Sequence, residues 1–182
     1  MSVIFVDMEG TPVGEVSAIQ MNLVTRQIVD VYHNHADMHG YDEWCQRHYH
    51  GLNPLFLERF GLGSEHELLN DFKEWLRGKE IFAMYANNPG KEKAALGRTI
   101  YDIELPRWSE RKTRPSHIMA KAFKKIGVPI LNKRCPPEAH SSYRYFPVNC
   151  WTNETELAKH DFGYHCALYD TYELFLTYVS DV

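Results

Sequence analysis

The apolar positions of this chain open with the run Val3-Ile4-Phe5-Val6, four apolar and mostly β-branched residues that predict a buried strand. Glu15 to Leu23 then alternates polar and apolar, the pattern of a half-buried strand. A turn at Thr25-Arg26-Gln27 leads to a third strand, Ile28 to Tyr32, so the three form an antiparallel meander. His33 to Gly40 is polar and reads as a loop, Tyr41 to His50 as a short helix, and Gly51-Leu52-Asn53-Pro54 as its break. Ser64 followed by Glu67 is a capping box ahead of Leu68, Leu69, Phe72, Trp75 and Leu76, which recur at helical spacing until Gly78. Ile81 to Tyr85 is a short apolar run that predicts a central parallel strand, reached by that helix as a crossover.

After the turn Asn87-Asn88-Pro89-Gly90, a helix starts at Lys91 and runs toward Arg98, and Ile100 to Leu105 reads as a further strand. Ser116 to Ile126 is an amphipathic helix, and Cys135 to Trp151, rich in Pro and Tyr, falls in an insertion spanning about 106–162. Gly163 to Val179 predicts a closing helix with Ala167, Leu168, Tyr172, Phe175, Leu176 and Val179 on its apolar side. A meander followed by strands alternating with helices is an α/β layout with a mixed sheet.

Composition narrows the picture. With 182 residues, 44% apolar and 24% charged, the chain can build one domain around a core and has little room for a second. No apolar run is long enough to span a membrane, and the N-terminus lacks the basic and apolar regions of a secretory signal. The four cysteines show no dense disulfide spacing, so an intracellular, reducing compartment is expected. The net charge of −4 excludes a simple polycation coating nucleic acid and shifts attention to local charge.

Candidate chemistry begins where the first strand ends. Asp7 and Glu9 stand at i and i+2, which puts their side chains on one face of a strand. Two adjacent acids repel, and burying them unpaired is costly, so a divalent cation is the simplest partner. The plain alternative is an acidic strand end leading into a turn at Gly10. His165 and Asp170 stand near the start of the closing helix, five positions apart.

Together, Asp7-x-Glu9 on a leading strand and His165 with Asp170 on a closing helix resemble motifs I and III of the DEDDh family of 3′–5′ exonucleases. His50-Gly51-Leu52-Asn53 and Tyr85-Ala86-Asn87-Asn88-Pro89 resemble further family segments, in the expected order. The resemblance implies a ribonuclease-H-like fold, in which the meander and parallel strands form one mixed sheet flanked by helices. It also implies a two-ion site for Mg²⁺ or Mn²⁺, with the ions about 4 Å apart, hydrolysing phosphodiester bonds. In it Asp7, Glu9 and Asp170 would hold one ion, Glu92 with Asp7 would help place the second, and His165 would be the general base. The implied partner is the 3′ end of single-stranded RNA or DNA, with Asn87 and Asn88 near it. The chain departs from the family where motif II calls for aspartate and it has Glu92, and where Asn87 replaces a histidine. A catalytically inactive module of the same fold, binding nucleic acid or protein, therefore stays open as the alternative.

Two further stretches carry candidate sites. Arg107 to Arg134 is dominated by basic residues, and Arg111, Lys112 and Arg114 are candidates for phosphate contacts; a solvated helix face and loop is the plain alternative. Cys135, His140, Cys150 and His160, or Cys166 in place of the last, are candidate ligands of a structural Zn²⁺, although their spacing is wide and buried thiols explain them as well. Among the histidines from His33 to His50, only His50 is expected to matter, as a turn residue, with the others polar surface.

Overall fold

The computed structural model describes residues 1–37, 58, 61–105 and 167–180. In chain order the described elements are β1 (Ser2–Glu9), β2 (Glu15–Asn22), β3 (Ile28–His35), α1 (Glu65–Leu76), β4 (Ile81–Ala86), α2 (Gly90–Leu96), β5 (Tyr101–Asp102) and α3 (Ala167–Ser180). The strands form one sheet in the order β3-β2-β1-β4-β5. β1 pairs antiparallel with β2 and parallel with β4, β2 pairs antiparallel with β3, and β4 pairs parallel with β5. This is the mixed sheet that the meander and the crossover helix predict.

β1 lies at the centre, and Val3, Ile4, Phe5 and Val6 are completely buried, as an uninterrupted apolar run requires when both faces are covered. Its even positions, Ile4, Val6 and Met8, join Val16, Ala18 and Tyr32 in a core that α1 covers with Leu68, Phe72 and Leu76. The Ser64 hydroxyl caps α1, accepting a hydrogen bond from the Glu67 N–H at 3.2 Å. The odd positions of β1 face α3, whose Phe175 and Tyr178 rings meet Phe5 edge-on at 5.9 and 5.3 Å between centroids.

Two strand extents and one helix face differ from the sequence-based expectation. β3 continues through His33 and His35 instead of ending at Tyr32. Its polar tail stays in the ladder because His33 pairs with Ser17 and His35 with Glu15, and the Glu15 carboxylate receives both imidazoles. β5 holds only Tyr101 and Asp102 of the expected Ile100 to Leu105. β4 stops at Ala86 and the chain turns at Asn88 (φ 52°), so residues beyond 102 have little strand left to pair with. On α3, Thr171 and Leu174 are fully buried although neither was on the expected apolar side, because the first turns of the helix are enclosed nearly all round. The expected helices at 41–50 and 116–126 and the insertion at about 106–162 lie outside the described residues. Among the described residues, no helix is long and apolar enough to cross a membrane.

Candidate metal centre

The β1–β2 register lays out the site. Asp7 faces Ser17 and Glu9 faces Glu15 across the ladder, all on the sheet face that α3 covers. Gly10 (φ 91°) then takes a left-handed turn that a side chain would strain, and the Gly14 N–H donates to the Glu9 carbonyl at 2.8 Å to close the connection. Asp170 lies in the first turn of α3 and is buried. One carboxylate oxygen each from Asp7, Glu9 and Asp170 lie within 4.8 Å of one another, so the structure brings these three together from distant parts of the chain.

The electrostatics of this cluster are unfavourable without a cation. Asp7 Oδ2 is buried and has no hydrogen-bond partner among the described residues. Burial, and then repulsion from Glu9, Asp170, Glu92 and Glu15, holds the Asp7 carboxyl well above the usual aspartate range. Glu92 is not one of the three, but it is buried on α2 close enough to add to that repulsion. Its own carboxyl is pushed up by burial and by Glu9, against the opposing pull of Lys91 and of hydrogen bonds with its own and the Met8 backbone. Glu92 Oε2 is likewise buried without a hydrogen-bond partner among the described residues. Lys91 Nζ lies beside them and donates to the Met8 carbonyl at 3.0 Å. A donor set of hard carboxylate oxygens, with two buried atoms left unsatisfied, fits a hard divalent cation such as Mg²⁺ or Mn²⁺. Gly10, Thr11, Pro12, Val13, Glu65, Leu69, Lys91, Ala94 and Ala95 line a cleft of ≈ 440 Å³ between the β1–β2 connection, α1 and α2.

Asn87 and Asn88 shape the end of β4: Asn87 Oδ1 accepts from the Leu105 N–H at 3.3 Å, and the Asn88 N–H donates to Asp102 Oδ1 at 2.8 Å. His165, Arg111, Lys112, Arg114, His50 and the zinc candidates Cys135, His140, Cys150, His160 and Cys166 lie outside the described residues. His33 and His35, expected as polar surface, are instead almost completely buried against Glu15. The signal for them in the sequence was their i, i+2 spacing directly after a strand, which puts two imidazoles on one face of its continuation.

No protein-family model matches the chain, and no curated protein is significantly similar to it. Among solved structures it is similar to the nuclease domain of 3′hExo, a DEDDh family member, bound to rAMP. The two share 14% identity and a TM-score of 0.52 over 98% of this chain and 90% of that one. A structure of exonuclease X in complex with 5′ overhanging duplex DNA has 14% identity and a TM-score of 0.45, covering 98% of this chain and 91% of that one. The sheet topology and the first of these likenesses define the fold class: this is the ribonuclease-H-like fold of 3′ exonuclease domains.

Proposed function

We propose that this protein is a divalent-metal-dependent 3′–5′ exonuclease of the DEDDh type, acting on the 3′ end of single-stranded RNA or DNA. The observation that carries this reading is the meeting of Asp7, Glu9 and Asp170, with oxygens within 4.8 Å, on a fold shared with exonuclease domains. Asp7, Glu9 and Asp170 would hold one Mg²⁺ or Mn²⁺, and Glu92 with Asp7 would help hold a second. Bound there, such ions would supply positive charge to the phosphoryl group under attack and to its leaving oxygen. A cation held by Asp7 would offset the cost of burying its carboxylate, whose Oδ2 has no hydrogen-bond partner among the described residues. His165 takes the proton of the attacking water, a task suited to the near-neutral pKa of imidazole. The ligand in the similar nuclease domain, rAMP, is a nucleotide, which supports a terminal nucleotide as the group bound here.

The test is incubation of 3′-labelled single-stranded RNA and DNA with Mg²⁺, Mn²⁺ or chelator. Stepwise loss of 3′ nucleotides is expected with metal and none with chelator. Asp7→Asn is expected to lower the rate at least about a thousandfold. Cleavage that survives both chelator and Asp7→Asn refutes the proposal.

A further inference from the structure

The sheet face that carries the acidic cluster carries a second cluster beside it. Glu9, Glu15 and His35 form one row across β1, β2 and β3, and Asp7, Ser17 and His33 form the next. Glu15 therefore lies between the acids and the two imidazoles. Its Oε1 is 2.7 Å from His33 Nε2 and 3.7 Å from His35 Nε2, and the His33 and His35 rings meet at 4.7 Å between centroids. The three side chains are 0%, 1% and 0% exposed. One ligand atom from each lies within 4.8 Å of the others.

We infer that Glu15, His33 and His35 form a second metal site, with the nitrogen and oxygen donors that Zn²⁺ takes, separate from the all-oxygen site of Asp7, Glu9 and Asp170. Zinc bonds of about 2.0–2.2 Å in a tetrahedral shell put neighbouring ligand atoms about 3.3 Å apart, between the two Glu15–histidine distances. Metal entry would take the lone pair of His33 Nε2 in place of its contact with Glu15 Oε1, the neutral ring then carrying its one hydrogen on Nδ1. The Glu15 carboxylate and the His35 imidazole are in the state a metal needs. Burial alone would raise the Glu15 carboxyl, but the His33 and His35 rings overcome it and keep the group ionised, while burial lowers His35 to about 4 and keeps it neutral. Glu15 Oε2 accepts from the Ala167 N–H at 3.3 Å, which orients the carboxylate from behind, as hydrogen bonds to metal ligands do. That bond also ties the site to the start of α3, three residues before Asp170. The two sets differ in chemistry: carboxylates alone suit Mg²⁺ or Mn²⁺, whereas imidazoles favour zinc and its neighbours. The inference stands whether or not the chain is a nuclease.

The test uses the full chain purified without a histidine tag, stripped with chelator, reloaded with Zn²⁺ and desalted. On the order of one zinc per chain is expected, and X-ray absorption at the zinc edge should show two imidazoles in the shell. The double variant His33→Gln, His35→Gln should bind zinc at least about tenfold more weakly, with its fold checked by circular dichroism. A wild-type shell without imidazoles, no zinc retained by the wild type, or a folded double variant with unchanged zinc affinity would each overturn the assignment. Should the double variant fail to fold, the absorption spectrum of the wild type decides alone.

Discussion

Asp7→Asn replaces a buried carboxylate by an amide of nearly the same shape, and it should make the metal-free protein more stable. Asp7 has neighbours in Glu9 and Asp170 with oxygens within 4.8 Å. At that distance two like charges repel by about 3.5 kcal/mol at an effective dielectric constant of about 20, and by about 1 kcal/mol in bulk water. Burial first and the surrounding acids next raise the Asp7 pKa, which favours its protonated form. A carboxyl whose folded pKa lies above its unfolded value lends stability that is complete below the ordinary aspartate range. That stability is lost as pH rises through the folded value. The amide has nothing to lose. In chelator the two proteins should therefore be alike near pH 4 and diverge as pH rises, the variant leading by about 1–3 kcal/mol near pH 8. Mg²⁺ should reverse the order, since the wild type gains about 2.7 kcal/mol at a hundredfold excess over Kd while the variant, missing a ligand, gains little. Urea unfolding followed by tryptophan fluorescence, with and without Mg²⁺ from about pH 4 to about pH 8, measures both effects. A variant that is less stable than the wild type in chelator across this range, or that gains as much from Mg²⁺, refutes the reasoning.

The buried imidazole of His35 gives a pH dependence of the opposite sign. Because burial lowers its pKa from 6.5 to about 4, its contribution is complete above 6.5 and is lost as pH falls toward about 4. Metal-free wild type should lose up to about 3 kcal/mol relative to His35→Gln over that interval, as read from urea midpoints at each pH. Phe72 is fully buried between α1 and the sheet and stacks on Trp75 at 5.7 Å. Phe72→Ala should cost about 3–5 kcal/mol by the same method. Lys79 Nζ lies 2.7 Å from Asp30 Oδ2, 2.8 Å from Gln20 Oε1 and 4.1 Å from the centroid of the Trp75 ring. Lys79→Met should lower stability by about 1–2 kcal/mol, and a neutral effect in calorimetry would show these contacts to be balanced by desolvation.

The parts of the fold written in local pattern were legible. The apolar run of β1 marks a strand covered on both faces, and the Ser64 cap marks where α1 begins. The end of β3 was not legible, because His33, Asn34 and His35 look like loop residues until the register pairs them with Ser17, Val16 and Glu15. The sheet-facing row of α3 was misjudged for a related reason: Thr171 is polar, yet its hydroxyl is satisfied by the Ala167 carbonyl at 2.6 Å and can be buried. That Asp7 and Glu9 share a face follows from strand geometry alone. That Asp170 joins them does not, since nothing local in either stretch encodes a contact across more than 160 positions; only the ordered set of family-like motifs pointed to it. The grouping of Glu15 with His33 and His35 depends on two strand registers at once, which no single window of sequence contains.

The central place of β1 has a mechanical consequence. It is stitched on one edge to an antiparallel neighbour and on the other to a parallel one, so Asp7 cannot shift along the strand without breaking two ladders of different geometry. Asp170 rides on a helix held by side-chain packing, which yields to a small roll or slide far more readily than a ladder does. The acidic grip thus has one fixed jaw and one adjustable jaw. Substitutions where α3 rests on the sheet, such as at Thr171 or Leu174, are the place to tune its bite while every carboxylate stays in the chain.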